Sequence, residues 1–144
     1  MAINLLTAPT ESQLDRLMAI WLQGNLDAHP FVRPDYWRKQ APAVREALPQ
    51  AKLLVATDRD QIQGFLGLQD YYIAGIFIAA GARQQGLGSA LLTTAKQQQS
   101  KLELSVYVAN RVAVAFYHHS DFHVHAQAID KDTNQPEYTM RWHR

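Results

Sequence analysis

The sequence predicts a single mixed α/β domain (α+β), in which a mostly antiparallel sheet of about six to seven strands is flanked by about four helices. Three observations predict it. Apolar stretches within residues 53–78 are joined by short polar turns, which indicates three consecutive antiparallel strands. The third stretch leads into a glycine-containing loop and then into a helical pattern. An alternating stretch at residues 102–107 follows that helix, which predicts a right-handed βαβ unit with one parallel pair.

The amino-terminal segment predicts a short strand and a helix. Residues 3–6 are apolar and suit a strand. Thr10 and Gln13 have the spacing of a capping box, and apolar residues then recur at helical spacing over residues 11–23. The Gly24–Asn25 pair is expected to end that helix.

Proline and polar residues mark the other element boundaries. Pro34 suits the first turn of a second helix, and Pro42 is expected to bend or divide it. Towards the carboxyl end, the alternating residues 122–129 predict a strand, residues 130–137 predict a polar loop, and residues 138–142 predict a last strand that closes the sheet.

Length and composition limit the classes of function. The chain has 144 residues and no internal repeat, so residues 1–144 are expected to be one domain. It has no cysteine, which excludes disulfides, thiolate metal ligands and a cysteine nucleophile. The net charge is +1 and the basic residues are scattered, so no nucleic-acid partner is expected. The amino terminus lacks a signal-peptide pattern and no apolar run spans a membrane, so we expect a cytoplasmic protein without a membrane partner.

The glycine-containing loop has the design of a phosphate-binding site. A strand at residues 72–78 is followed by small residues and then by Arg83-Gln84-Gln85-Gly86-Leu87-Gly88, which leads into a helix. The N–H groups of such a loop and of the first helical turn have no intrahelical partner and can bind an anion. Glycine lets a pyrophosphate come close to the backbone. Neither a Walker motif nor the dinucleotide fingerprint is present. The alternative is that both glycines serve turn geometry alone.

The pattern R-x-x-G-x-G after a strand resembles the acyl-CoA pyrophosphate loop of the GNAT superfamily of N-acetyltransferases. Residues Asn110 to Tyr117 read N-x-x-A-x-x-F-Y and resemble the second half of that family's signature. Each residue alone has an ordinary explanation, since Asn110 is a good helix cap and Tyr117 could be a half-buried aromatic. The order of the two segments makes coincidence improbable. The chain departs from the family where Asp121 replaces a usual Gly and Ala80 replaces a frequent Pro.

The resemblance implies that acetyl-CoA is the acyl donor. The loop would hold the pyrophosphate, and the pantetheine arm would pair with the strand before the loop, which in the family splays from its parallel neighbour. A backbone N–H near Phe77 would stabilise the oxyanion of the thioester. The cofactor-binding residues that the resemblance implies are Ile76, Phe77, Ile78, Arg83, Gln84, Gln85, Gly86, Leu87, Gly88, Ser89, Asn110 and Tyr117. Four histidines cluster at residues 118–125, but without a ligand pattern, so no metal is expected.

The resemblance makes Tyr117 the general acid that protonates the leaving thiolate, because a phenol with a pKa of about 10 is protonated at neutral pH. A lysine amine is almost wholly charged at pH 7, so a base or a water relay is also expected. The family position that often holds a Glu is Tyr72 in this chain. Asp70, two residues from Tyr72, is expected on the same strand face, and Glu103 and Ser105 are expected on the neighbouring parallel strand. These three are the alternative candidates, and the sequence leaves the choice open.

The acceptor is expected to be a primary amine, either a protein lysine or an N-terminus. In the family, the region of residues 28–37 lies over the acceptor. The acceptor-binding residues that this implies are His29, Phe31, Tyr36, Tyr72 and Tyr107. Packing in the core is the preferred explanation for Phe31 and Trp37. The alternatives are an enzyme that acetylates a polyamine, amino acid or antibiotic, and a non-catalytic regulatory domain that binds acyl-CoA. A homodimer is possible, with the last strand as a candidate seam.

Overall fold

The computed structural model describes residues 1–144. Its strands are β1 (Ala2–Leu6), β2 (Lys52–Asp58), β3 (Gln61–Gln69), β4 (Tyr72–Ile78), β5 (Lys101–Tyr107), β6 (His123–Asp130) and β7 (Gln135–His143). Its helices are α1 (Glu11–Ala28), α2 (Pro34–Ala47), α3 (Leu87–Gln98) and α4 (Arg111–His119). None of these helices combines the length and the apolar character needed to cross a membrane.

The seven strands form one sheet in the order β1-β2-β3-β4-β5-β7-β6. Every pair of neighbours is antiparallel except β4 and β5, so the predicted mixed and mostly antiparallel sheet is confirmed. The prediction that the last strand closes the sheet is wrong. β7 lies between β5 and β6 and has a paired strand on each side. β6 is therefore the edge strand at that end of the sheet, and the last strand offers no free edge as a dimer seam.

Each face of the sheet has its own apolar core, because side chains alternate along the strands. Helices α3 and α4 cover one face, where Leu91 is fully buried. Helices α1 and α2 cover the other face, where Leu17 packs on Phe65 in the second core. β2 contributes Leu54 to the first core and Leu53 to the second. The sheet therefore lies between two helical layers, with β4 and β5 near its centre.

Helix α1 is longer than predicted. It continues through Gly24 and Asn25 to Ala28, so the predicted stop is wrong. The side chain of the buried Asn25 has a hydrogen-bond partner within the helix, because its Nδ2 donates to the Trp21 carbonyl at 3.0 Å. Gly24 lies against β4, and a Cβ there would be 3.2 Å from Phe77 Cδ1. Close packing between α1 and the sheet, rather than helix termination, explains both residues.

Two predictions rest on proline. Helix α2 runs through Pro42 undivided, so the alternative that Pro42 divides it is wrong. The carbonyl that loses its partner there belongs to the exposed Arg38, where water can bond it. β7 begins before Pro136, so Pro136 and Glu137 belong to a strand and not to the predicted loop. The Pro136 carbonyl accepts a hydrogen bond from the Val108 N–H at 3.0 Å, and pairing on both sides overrides the turn signal.

The parallel strands β4 and β5 pair with each other only at their amino-terminal ends. Their register pairs are Tyr72 with Glu103 and Ile73 with Leu104. A bulge at Ala74 then changes the register of β4 against β3. The pairs on either side of this bulge are Leu68 with Ile73 and Gly67 with Gly75. Beyond the bulge β4 keeps its pairing with β3 and loses it with β5, so the splayed strands that the resemblance implied are present.

We expect Gly75→Ala to lower the free energy of unfolding by about 1–3 kcal/mol, because it overpacks this bulge. A Cβ at Gly75 would lie 2.6 Å from Phe77 Cζ, and the ring is held in place by Phe65 at 5.3 Å between centroids and by Gly24. Urea unfolding measures the loss. Gly81→Ala is the matched control, because a Cβ at Gly81 has no neighbour within 4 Å. Equal losses in the two variants would contradict the packing argument.

Candidate active site

A groove of about 1230 Å³ lies where β4 and β5 diverge. Leu87 and Tyr117 line it from the face of the sheet that α3 and α4 cover. Trp37 and Tyr107 line it from the face that α1 and α2 cover. The groove therefore passes through the gap in the sheet and connects its two faces. An extended molecule can enter from one face and meet a second reactant from the other.

The first turn of α3 lines the groove and has the features of an anion-binding site. Gly86 is the cap of α3 and has a φ of 79°, and Gln84 also has a positive φ, of 64°. No side chain caps this helix end. The N–H groups of the first turn, from Leu87 to Ser89, have no intrahelical acceptor. These groups and the positive end of the helix dipole suit a pyrophosphate.

The fold requires glycine at one of the two loop positions. A Cβ at Gly86 would meet nothing within 4 Å, so its requirement is the left-handed backbone. A Cβ at Gly88 would lie 3.4 Å from Phe116 Cζ, which is an ordinary contact. Turn geometry thus accounts for Gly86, whereas neither turn geometry nor packing requires glycine at position 88.

Arg83 ties the loop to the end of α1. Its Nε donates to the Ile78 carbonyl at 3.2 Å, and its Nη1 pairs with Asp27 Oδ2 at 2.9 Å. The hydrogen bond from Arg83 holds the pKa of Asp27 below its usual value, and a second bond from Gln23 adds to this. Asp27 lines the groove, and it was not predicted from the sequence because the predicted helix ended before it.

The free edge of β4 lies along the groove. Residues 75–78 pair with β3 on one side only, and the bulged Ala74 pairs with neither neighbouring strand. All five residues line the groove. Unpaired backbone groups of this kind can bind an extended, amide-bearing chain as an added strand. The side chains of Ile76 and Ile78 pack towards α3 and that of Phe77 packs towards α1, which leaves the backbone to act in the groove.

Helix α4 brings Asn110 and Tyr117 to the groove. Asn110 caps the helix as predicted, because its Oδ1 accepts the Ala113 N–H at 3.2 Å. Its Nδ2 also lies 3.4 Å from His29 Nε2. Burial raises the pKa of Tyr117 above its ordinary value, and the neighbouring Tyr72 adds to this. The Tyr117 hydroxyl therefore keeps its proton at neutral pH, as a general acid must.

Aromatic rings surround His29 on the other face of the sheet. The imidazole stacks on Trp37 with centroids 5.1 Å apart and meets Tyr107 edge-on at 5.2 Å. Burial lowers the pKa of His29, so the ring is neutral at pH 7. The His29 Nδ1 and the Trp37 Nε1 are buried without a hydrogen-bond partner. Phe31 and Tyr36 complete the set. Trp37 is buried in the core, as preferred from the sequence, and its ring also lines the groove.

Two of the predicted acidic residues lie outside the groove. Asp70 is in the two-residue turn between β3 and β4, with a φ of 54°. The expectation that it shares a strand face with Tyr72 is therefore wrong. Glu103 pairs with Arg141 at 2.7 Å. Tyr72 itself lines the groove and donates from its hydroxyl to Ser105 Oγ at 3.0 Å. The structure thus brings neither Asp70 nor Glu103 to the reacting groups.

The other predicted residues are brought together, with one exception. Those that line the groove are His29, Phe31, Tyr36, Tyr72, Ile76, Phe77, Ile78, Arg83, Gln84, Gly86, Leu87, Gly88, Ser89, Tyr107, Asn110 and Tyr117. The exception is the exposed Gln85. No three His, Asp or Glu side chains are placed to hold a metal ion together.

A carboxylate that was not predicted from the sequence also lines the groove. Glu137 lies in β7, where the register pairs it with Tyr107. Burial raises the pKa of Glu137, and the nearby charge of Asp130 adds to this. The Tyr107 hydroxyl donates to Asp130 Oδ2 at 2.7 Å. The alternation of polar and apolar residues from Glu137 to Trp142 was the available signal, but Pro136 favoured a loop.

The chain is similar to known proteins along most of its length. Residues 23–142 match the family model of the acetyltransferase (GNAT) domain. The chain is 32% identical over 133 residues to the peptidyl-lysine N-acetyltransferase YiaC of Escherichia coli K12, with 91% of each chain covered. It is 32% identical over 123 residues to the peptidyl-lysine N-acetyltransferase YjaB of the same strain, with 85% of this chain and 84% of YjaB covered.

Solved structures share the fold. The solution structure of apo YjaB from Escherichia coli has a TM-score of 0.84 at 28% identity and covers 99% of this chain and 98% of that one. The PaiA N-acetyltransferase from Thermoplasma acidophilum, in complex with coenzyme A, has a TM-score of 0.79 at 16% identity over the whole of both chains. At that lower identity the similarity shows the fold alone.

Proposed function

The chain belongs to the GNAT family of acetyl-CoA-dependent N-acetyltransferases, and from that premise we propose that its acceptor is the ε-amine of a protein lysine. The observation that carries the proposal is the groove between β4 and β5. It connects the uncapped amino-terminal end of α3 with the aromatic rings around His29. The peptidyl-lysine activity named for the two Escherichia coli relatives supports lysine over other amines.

Backbone groups would hold the donor. The N–H groups from Leu87 to Ser89 would bind the pyrophosphate, which the open left-handed turn at Gly86 leaves accessible. The free edge of β4 would pair with the pantetheine arm. We propose that a free N–H beside Phe77, that of Ile76 or Ile78, donates to the thioester carbonyl, because the register turns the Phe77 N–H towards β3. This hydrogen bond would stabilise the negative charge that develops during transfer.

Tyr117 is the proposed general acid of a direct transfer in a ternary complex. As the neutral amine forms its bond to the carbonyl carbon, the carbon–sulfur bond breaks and the Tyr117 hydroxyl gives its proton to the sulfur. Tyr117 regains a proton from the new amide nitrogen. The lysine ammonium has already released one proton, so the products are the acetyl-lysine, free CoA and one proton.

Two measurements test this function. Calorimetric titration with acetyl-CoA should show one binding site, and thiol release should then be fastest with a lysine peptide in a panel of peptides and small amines. Turnover restricted to polyamines, amino acids or antibiotics would replace the lysine proposal with a small-molecule acetyltransferase. Binding of acetyl-CoA without turnover on any acceptor would contradict the catalytic role proposed for Tyr117. The cytoplasmic location, the possible homodimer and the lack of a nucleic-acid partner stay predictions.

A further inference from the structure

Two carboxylates line the groove, and they differ in their partners. Asp27 is paired with Arg83 at 2.9 Å, so its charge is neutralised. Glu137 forms no ion pair with any Lys, Arg or His of the chain. Its side chain is half-buried in the part of the groove that Tyr36 and Tyr107 also line. A half-buried carboxylate without a cation is costly unless a ligand supplies one.

The neighbours of Glu137 add negative charge rather than positive. Burial raises the pKa of the Tyr36 phenol, and the charges of Asp130, Asp132 and Glu137 add to this. Asp130 is already bonded, because it accepts the Tyr107 hydroxyl at 2.7 Å and the Asp132 N–H at 2.9 Å. Glu137 is thus the groove carboxylate that is free to accept from a ligand.

Aromatic rings that line the same groove suit the same kind of ligand. Phe31, Tyr36 and Trp37 present aromatic groups to the groove, and such faces attract a cation. A lysine amine with a pKa of about 10.4 arrives at neutral pH as an ammonium with three donors. We propose that Glu137 binds the ammonium of the acceptor lysine and makes the site selective for a cationic side chain. This inference rests on the proposed function and names the residue that recognises its acceptor.

Glu137→Gln tests the inference, because it keeps the shape of the side chain and removes its charge. Two peptides of one sequence serve as probes, one with lysine and one with norleucine, which has a neutral stem of similar length. Binding is measured in the presence of CoA. We expect the wild type to prefer the lysine peptide and the variant to bind it about tenfold more weakly, with norleucine binding unchanged. The KM for the lysine peptide should rise in parallel, while kcat changes less.

The control is Glu103→Gln, which removes a carboxylate from the neighbouring strand outside the groove and should leave both peptides unaffected. Glu137→Asp should recover part of the preference for lysine. Equal weakening of both peptides would overturn the inference, because it would indicate a structural role. An unchanged ratio with normal turnover would overturn it too and leave the proposed function intact. Absence of wild-type turnover on any lysine peptide would instead count against the proposed function.

Discussion

Tyr117→Phe is expected to lower kcat by about a hundredfold or more while the Kd for acetyl-CoA stays within about threefold. The substitution removes one hydroxyl and keeps the ring that packs beside Phe116 and Phe122. The leaving thiolate then loses the hydroxyl proposed to protonate it, whereas the groups proposed to bind the donor are backbone groups of α3 and β4. Steady-state thiol release gives kcat, and calorimetry gives the Kd.

The same assignment predicts how the rate depends on pH. Burial disfavours the phenolate, so the raised pKa of Tyr117 keeps the hydroxyl protonated up to and beyond its ordinary value of about 10. The kcat of the wild type should therefore show no decline from loss of this proton below about pH 10.

Tyr138→Phe is the matched control for Tyr117→Phe, because Tyr138 packs against the same core but does not line the groove. A similar loss of kcat in Tyr117→Phe and Tyr138→Phe would contradict the role of Tyr117 as the general acid.

Gly86→Val is expected to weaken acetyl-CoA binding by about a hundredfold. A β-branched residue is strained at a φ of 79°, by roughly 1–2 kcal/mol, and the loop can relax only by turning its N–H groups away from the ligand. Each lost hydrogen bond to a charged phosphate removes about 1.5–3 kcal/mol, and 1.4 kcal/mol is a factor of ten in Kd. The free energy of unfolding should fall by no more than this strain energy. The loss in binding free energy for acetyl-CoA should therefore exceed the loss in the free energy of unfolding.

The control for this experiment lies close by in the chain. Gly81→Val places its side chain in open space at a position without positive φ, and it should bind acetyl-CoA like the wild type. Gly88→Ala adds a contact that Phe116 can accept, so weaker binding by a stable Gly88→Ala protein would assign that glycine to the ligand. Unchanged affinity in Gly86→Val would mean that the loop is only a turn.

Predictions from the sequence failed where distant segments meet. Gly24 favours a helix end on local grounds, yet the close approach of Phe77 keeps it inside α1. Pro136 favours a loop, yet it pairs with Ile129 of β6 and accepts a hydrogen bond from the Val108 N–H on its other side. In both cases tertiary packing or pairing outweighs a local preference worth about 1 kcal/mol. Asp70 differs, because it was expected on a strand face and lies in the two-residue turn that joins β3 to β4.

The sequence by itself determined the fold class, the order of the elements, the position of the glycine-containing loop and the role expected of Tyr117. Periodicity, capping and the two signature segments are all local, so a single chain displays them directly. Only the tertiary structure decided which carboxylates face the groove. Glu137 enters it because β7 pairs beside β5, while Glu103 pairs with Arg141 outside it. Strand order and register bring these groups together, and such long-range pairing is set by the whole core rather than by any one segment.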